Sequence, residues 1–233
     1  MATEKNQENT DGPTGHQGLF LVVLGPDGVG KSTTIRYLQL ELEKLCGHCR
    51  TERWRPGLIK KVAPDTGNRI PHAKVPRGPI ASALSLLGLA ADFNIGYVVS
   101  ARPAIARSEA IIFDRYFHDV LIDPKRYRYA GPKWLPRLLS RWVLPRNPIF
   151  IVLDADEELI LRRKQELPLP ELTRQRLAYR EFAARTSQAM IVKTDRPVEA
   201  IVSEIVTNIS AIRNFRNTTP AKSWQHRDVS LVP

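Results

Sequence analysis

A glycine-rich segment at residues 25–32 restricts the fold of this chain more than any other feature. It reads Gly-Pro-Asp-Gly-Val-Gly-Lys-Ser and fits the pattern G-x-x-x-x-G-K-[ST]. The apolar run at residues 19–24 precedes it, as expected of a strand that is buried on both faces, and an amphipathic pattern over residues 31–45 follows it. A strand, a glycine-rich loop and a helix in this order predict an α/β fold built on a parallel sheet.

This loop is suited to bind phosphate groups. Glycine allows successive backbone N–H groups to face an anion, and the first turn of the following helix adds its positive end. Lys31 would reach the β- and γ-phosphoryl oxygens, and the Ser32 hydroxyl would bind Mg²⁺. We therefore predict an ATP site with Mg²⁺ as cofactor, formed by Gly25, Pro26, Asp27, Gly28, Val29, Gly30, Lys31, Ser32 and Thr33.

Short β-rich runs alternate with helical patterns along the rest of the chain. Gly47 is expected to end the first helix, and Pro103 to bend a long one. Further strands are predicted at residues 49–54, 110–113, 149–153 and 190–193, and further helices at 80–107, between the last two strands and at 198–212. This order predicts a P-loop NTPase three-layer sandwich, a five-stranded parallel sheet with helices on both faces.

Length and composition allow one domain. The chain has 233 residues, 42% of them hydrophobic, which is enough for one buried α/β core but short for two. We expect a disordered leader at 1–17, a P-loop domain at 18–213 and a loose tail at 214–233. The apolar stretch at 81–101 carries Asp92 and Asn94, so a buried helix fits it better than a membrane span, and a cytoplasmic location is expected.

The net charge of +11 bears on the choice of partners. Such a charge would suit a polyanion, but the sequence contains no motif for reading nucleic-acid grooves or single strands. A protein that handles phosphate groups explains the sign equally well. No nucleic-acid partner is therefore expected, and the expected partners are ATP and a small anionic acceptor.

A second cluster, Phe113-Asp114-Arg115-Tyr116, stands at the end of the third predicted strand. Ligands of open parallel sheets gather at the carboxyl ends of the strands, so this cluster should face the same crevice as the glycine-rich loop. There Asp114 would hold the metal, directly or through water, and Arg115 would bind a phosphoryl oxygen. The alternative is an ordinary surface salt bridge.

A third, basic cluster follows Asp154. It contains Arg162, Arg163 and Lys164, and continues to Arg174 and Arg176. A mobile basic segment that closes over a transferred phosphoryl group stabilises its charge and excludes water, which favours a lid at about residues 160–176. A solvated basic helix face is the alternative.

Together these three clusters resemble the thymidylate kinase family of P-loop nucleotide kinases over residues 19–212. The resemblance implies a kinase domain that transfers a phosphoryl group from ATP to a nucleoside monophosphate, with dTMP to dTDP as the best single expectation. It also implies that residues 194–197 pass beside adenine.

The resemblance implies roles for individual residues. Asp27 stands where the family places an acid near the acceptor sugar and the attacking oxygen, and Arg55, before Pro56-Gly57, resembles the arginine that helps hold the acceptor phosphate. Gly28 is typical of members whose lid supplies an arginine, which gives that duty to Arg162 or Arg163. The expected catalytic set is Asp27, Lys31, Arg115 and Arg163, and the expected acceptor-binding set is Arg55, Phe93, Arg115 and Tyr116.

The chain departs from the family pattern in two places. Near Phe93 it lacks the arginine with which the family reads thymine, which predicts weak discrimination among pyrimidine monophosphates or an acceptor without a base. Residues 125–146 contain seven basic residues, no acidic ones, and Trp134 and Trp142. This basic run suits a larger anionic acceptor, a peripheral membrane contact or a solvated helix, and a homodimer also stays open.

Two other functions are consistent with the same residues. The first is a P-loop kinase of another acceptor, namely a nucleoside, a sugar derivative or a lipid-linked phosphate. The second is a non-catalytic NTP-binding module, which would have no need of a lid.

Overall fold

The computed structural model describes residues 18–53, 78–145, 148–165 and 167–218. The predicted leader, Arg55, Arg146 and residues 219–233 lie outside these ranges. The predicted tail begins at residue 214, but the last helix continues to Thr218, so the first five residues of that tail are helical.

Five parallel strands form one sheet, as predicted. They are β1 (Leu19–Leu24), β2 (Cys49–Arg53), β3 (Ala110–Asp114), β4 (Ile149–Asp154) and β5 (Ala189–Lys193), in the order β2-β3-β1-β4-β5. The central strand β1 is buried along its whole length because it pairs with β3 on one side and β4 on the other. Val23 is paired with Asp114, which brings the end of β1 next to the end of β3.

Eight helices cover the sheet within the described ranges. They are α1 (Lys31–Cys46), α2 (Pro79–Gly96), α3 (Arg102–Ala106), α4 (Asp119–Ile122), α5 (Trp134–Ser140), α6 (Glu157–Arg163), α7 (Leu169–Ala184) and α8 (Val198–Thr218). Alternate β1 side chains enter two separate cores. The core on one face includes α1 and α8, and the core on the other includes α2, α3 and α4, while α7 contributes to both. This arrangement confirms the three-layer sandwich.

The long helix before β3 differs from the prediction in two respects. It is interrupted by a π-helical turn, Tyr97–Ala101, just before Pro103, because proline has no N–H to donate to the preceding turn. It is also buried on one face only, where Leu86, Ala90 and Phe93 pack. Residues 79–106 are long and apolar enough to cross a membrane: an 18-residue window within them has a mean hydropathy of 1.4, and 28% of this window is buried. The helix is therefore buried, as expected, only along one stripe of its surface.

Candidate active site

The glycine-rich loop is held against the end of β4 and the end of α6. Gly25 has φ 144°, and a Cβ atom there would lie 2.7 Å from the Leu153 carbonyl oxygen. Gly28 has φ 85°, and its Cβ would lie 3.1 Å from the carbonyl oxygen of Ile160. Both positions require glycine because the backbone is left-handed and the neighbouring atoms are close.

Lys31 begins α1 and its ammonium group lies inside the loop. Its Nζ donates hydrogen bonds to the carbonyl oxygens of Gly25 at 2.8 Å and Pro26 at 2.7 Å. The same nitrogen lies 3.6 Å from Oδ1 of Asp27. Burial, assisted by the positive charge of Arg115, lowers the pKa of Lys31 to about 7.

Arg115 joins the end of β3 to the glycine-rich loop. Its φ of 71° is left-handed, and its side chain is only 6% exposed. Nη2 donates to Oδ1 of Asp27 at 2.6 Å, while Nη1 donates to Asp119 at 2.8 Å and to the Tyr179 hydroxyl at 3.0 Å. The predicted meeting of the Asp-Arg-Tyr cluster with the loop is therefore present, but the Arg115 guanidinium is bound to the carboxylates of Asp27 and Asp119.

Asp27 receives a second arginine, Arg126, from the segment after α4. Nη2 of Arg126 donates to Oδ2 of Asp27, and Nε donates to Oδ2 of Asp123 at 3.2 Å. Burial alone would raise the pKa of Asp27, but the charges of Arg115, Lys31 and Arg126 outweigh it and lower that pKa well below its usual range. The Asp27 carboxylate is thus ionised and has an arginine on each oxygen.

Sequence reasoning did not identify Asp119, Asp123 or Arg126 as site residues. Asp119 lies four residues after Arg115, the spacing of an ion pair on one helical turn, and Arg126 lies three residues after Asp123. These spacings were the available signal. The pairing of Arg126 with Asp27 bridges 99 residues and has no local signal at all.

The structure corrects the predicted roles of two aromatic residues. Phe93 is 0% exposed, and its ring centroid lies 4.4 Å from that of Tyr116. Tyr116 is 1% exposed, and its hydroxyl donates to the Leu144 carbonyl oxygen. Both side chains belong to the core between α2 and the sheet, so neither is available to an acceptor in this conformation.

The predicted lid divides into residues with different surroundings. Arg163, at the end of α6, donates through Nη2 to the Thr194 carbonyl at 2.9 Å and through Nη1 to the Val29 carbonyl at 3.3 Å. It therefore joins the glycine-rich loop to the segment after β5. Arg162 and Lys164 are exposed, as is Arg163 despite these contacts.

The last two arginines of the predicted lid lie on α7. Arg176 is buried, and its Nε donates to Asp154 at 2.9 Å, so it belongs to the fold at the end of β4 rather than to a mobile segment. Arg174 donates to Glu171 at 2.7 Å and to the Ile122 carbonyl at 3.1 Å.

The two predicted metal ligands differ in exposure. Ser32 is exposed at the start of α1, as is the predicted phosphate-binding residue Thr33. Oδ1 of Asp114 is buried and receives no hydrogen bond from any residue that the structure describes. Both groups are hard oxygen atoms, the type of ligand that Mg²⁺ prefers.

Comparison with known proteins identifies relatives of this chain. No family model matches the chain. Thymidylate kinase of Leifsonia xyli subsp. xyli is 32% identical over 218 residues, which span 83% of this chain and 95% of that protein. Thymidylate kinase of Bifidobacterium longum is 28% identical over 217 residues, or 84% of this chain and 98% of that protein.

A solved structure shares the fold. The crystal structure of thymidylate kinase from Ehrlichia chaffeensis covers 82% of this chain and 98% of its own, with a TM-score of 0.59 at 16% sequence identity. That likeness shows the P-loop sandwich alone, whereas the 32% identity to the Leifsonia protein extends over nearly all of that relative. The chain therefore belongs to the thymidylate kinase family.

Proposed function

We propose that this protein transfers the γ-phosphoryl group of ATP to dTMP, giving dTDP and ADP. The observation that carries the proposal is the meeting of the glycine-rich loop with the end of β3 at Asp27, between Lys31 and Arg115. This contact supports the proposal because Lys31 is suited to a donor phosphate, Arg115 is suited to an anionic acceptor, and the chain is a member of the thymidylate kinase family.

The donor would be bound by residues 25–33. Backbone N–H groups of the loop and the start of α1 face its phosphates, and Lys31 exchanges the carbonyl oxygens of Gly25 and Pro26 for phosphoryl oxygens. Arg163 is a lid arginine that contacts the loop, since its Nη1 donates to the Val29 carbonyl oxygen at 3.3 Å. We assign it the stabilisation of charge on the transferred group.

Ser32 and Asp114 would hold the Mg²⁺ ion that accompanies ATP. Both offer hard oxygen ligands, and Oδ1 of Asp114, which no described residue hydrogen-bonds, fits a ligand to a cation. When bound, Mg²⁺ neutralises charge on the β- and γ-phosphoryl oxygens.

The transfer needs no protein base. An oxygen of the dTMP phosphate attacks the γ-phosphorus, the bond from that phosphorus to the β–γ bridging oxygen breaks, and ADP leaves with the electron pair. The attacking oxygen already carries negative charge at neutral pH. Asp27 is ionised and doubly paired, so its task is to orient the arginines around the acceptor rather than to accept a proton.

An acceptor panel tests this function. The protein is incubated with Mg²⁺ and γ-labelled ATP together with dTMP, thymidine, a sugar derivative or a lipid-linked phosphate, and the products are separated. Labelled dTDP as the main product is the expected result. Label in another acceptor would support a P-loop kinase of that acceptor. Label that appears only in inorganic phosphate, and only slowly, would support a non-catalytic NTP-binding module.

We also infer that the protein is cytoplasmic, and that it forms a homodimer rather than binding to a membrane surface. The segment from α2 through the π-helical turn exposes Ile80, Leu84, Leu87, Ile95, Val98 and Val99. Residues 79–101 contain no lysine or arginine, so this face lacks the charges that anionic lipid attracts. Sedimentation of the wild type and Leu84→Asp tests the inference, and a monomeric wild type that binds anionic vesicles would contradict it.

A further inference from the structure

Three cations converge on the single carboxylate of Asp27. Arg115 donates to Oδ1 at 2.6 Å, Lys31 lies 3.6 Å from the same oxygen, and Arg126 donates to Oδ2. Arg115 also binds Asp119, which neutralises part of this charge inside the protein. Lys31 and Arg126 are therefore separated by one carboxylate group, and Arg126 lies beside the phosphate-binding loop.

The two arginines on Asp27 differ in the donors that they have left. The Arg115 side chain is 6% exposed, and both of its terminal nitrogens bind protein oxygens. The Arg126 side chain is 14% exposed, and it uses Nε for Asp123 and Nη2 for Asp27. Among the residues that the structure describes, none accepts a hydrogen bond from its Nη1. Arg126 is thus the more exposed of the two, and one of its terminal nitrogens, Nη1, is a charged donor that the described residues leave unused.

Asp123 fixes the position of Arg126. Its Oδ1 accepts the backbone N–H of Arg126 at 3.2 Å, and its Oδ2 accepts Nε at 3.2 Å. The Asp123 side chain is 1% exposed, and its own backbone N–H donates to the Asp119 carbonyl at 2.8 Å. A guanidinium held at two points by carboxylates loses little further freedom when a ligand binds.

We propose that Arg126 is a specificity-determining residue that binds the phosphate of the acceptor through Nη1, with Asp27 and Asp123 holding its guanidinium in place. This inference rests on the proposed function and deepens it. It adds Arg126 to the acceptor-phosphate contact that the sequence predicts for Arg115. It also gives a use to one residue of the basic run at 125–146.

The test compares wild type, Arg126→Gln and Arg126→Lys for dTMP and thymidine as acceptors. Loss of a hydrogen bond to a charged group is expected to raise KM for dTMP about 10- to 100-fold in Arg126→Gln, and to lower the preference for dTMP over thymidine by a similar factor. KM for ATP should change less than about 2-fold. Arg126→Lys keeps the charge and should recover part of the loss.

Lys125→Ala is the matched control, because it removes the adjacent, exposed positive charge. It should leave both acceptor constants unchanged. A purely structural role for Arg126 would instead lower kcat for dTMP and thymidine equally and keep the preference intact, and that result would overturn the proposal. Thermal unfolding of each variant identifies any that fail to fold, and Asp123→Asn, which keeps Arg126 but loosens it, then serves as the second variant.

A binding measurement separates this inference from the proposed function. The affinity for dTMP is measured by calorimetry on wild type and Arg126→Gln, with the donor site saturated by a non-hydrolysable ATP analogue. Tighter binding by wild type, by about 10-fold or more, supports the role of Arg126 even if turnover is not seen. Equal affinities overturn it, whereas a wild type that binds dTMP without phosphorylating it overturns only the proposed function.

Discussion

Asp27 in the glycine-rich loop accepts a 2.6 Å hydrogen bond from Arg115 at the end of β3, across 88 residues of sequence. The contact is possible because β1 and β3 are neighbouring parallel strands, so the loop after one and the turn after the other lie at the same edge of the sheet. This ion pair couples the phosphate-binding loop electrostatically to the candidate acceptor-binding residues at the end of β3. A change on one side should therefore be measurable on the other.

Arg115→Ala should affect both stability and activity. The substitution leaves Asp27 and Asp119 without their buried partner, so we expect the free energy of unfolding to fall by about 3–5 kcal/mol. Because Asp27 then loses its orientation, KM for the acceptor should rise and kcat should fall together. Urea unfolding and steady-state kinetics measure the two effects.

Arg185→Ala is a suitable control for this substitution. Arg185 forms a 2.7 Å pair with Glu181 at the surface, and its loss should change the free energy of unfolding by less than about 0.5 kcal/mol. If Arg115→Ala left both kinetic constants at their wild-type values, the Asp114-Arg115-Tyr116 cluster would have only a structural role.

The sheet and the loop could be predicted because their signals are local. All five strands fall within a residue or so of the predicted bounds, since four are apolar runs and Gly47 marks the start of the other. The contacts of Asp27 with Arg115 and Arg126 could not be predicted, because these residues come from separate segments and pair only after the strands have assembled. Phe93 illustrates a second limit of prediction from sequence. An aromatic residue on an apolar helix can contact a ligand or pack in the core, and the sequence does not distinguish these two roles.

Lys31→Ala should reduce phosphoryl transfer by about 10²-fold or more while the protein stays folded. Lys31 interacts with charge that develops on the transferred group, and alanine cannot replace that interaction. Lys44→Ala is the control, because the Lys44 side chain lies on the same helix and is 69% exposed. Turnover is compared at saturating substrate after circular dichroism has verified folding. A folded Lys31→Ala protein with wild-type turnover would refute the assignment of the phosphate-binding loop.

His118 should make stability depend on pH below neutrality. Its ring packs 4.9 Å from that of Phe150, its Nδ1 is buried without a hydrogen-bond partner among the described residues, and burial lowers its pKa to about 4. The unfolded chain takes up a proton below about pH 6.5, whereas the folded protein does not until about pH 4. The free energy of unfolding should therefore decrease by about 2 kcal/mol between pH 7 and pH 4.5 from this residue.

The control for this pH dependence is an exposed histidine. Urea unfolding of His118→Phe at pH 7 and pH 4.5 should show a decrease smaller than that of wild type by the same amount, since phenylalanine has no proton to gain. His48→Asn, at an exposed position, should retain the wild-type dependence. Identical pH dependence in wild type and His118→Phe would mean that His118 is already hydrogen-bonded or charged in the folded protein.

The last prediction concerns how strongly the site distinguishes one base from another. The ring of Phe93 is buried against Tyr116, and α2 contains no arginine, so this helix offers neither an exposed aromatic surface nor a charged donor to a base. A site that is merely apolar discriminates by about 10- to 200-fold, whereas one that binds a particular base edge by hydrogen bonds can reach about 10⁴-fold. We therefore expect kcat/KM for dTMP to exceed the values for dUMP and dCMP by less than about 10³-fold. All three acceptors are measured side by side at one saturating ATP concentration, and a dTMP preference above that value would show that a residue outside α2 reads the base.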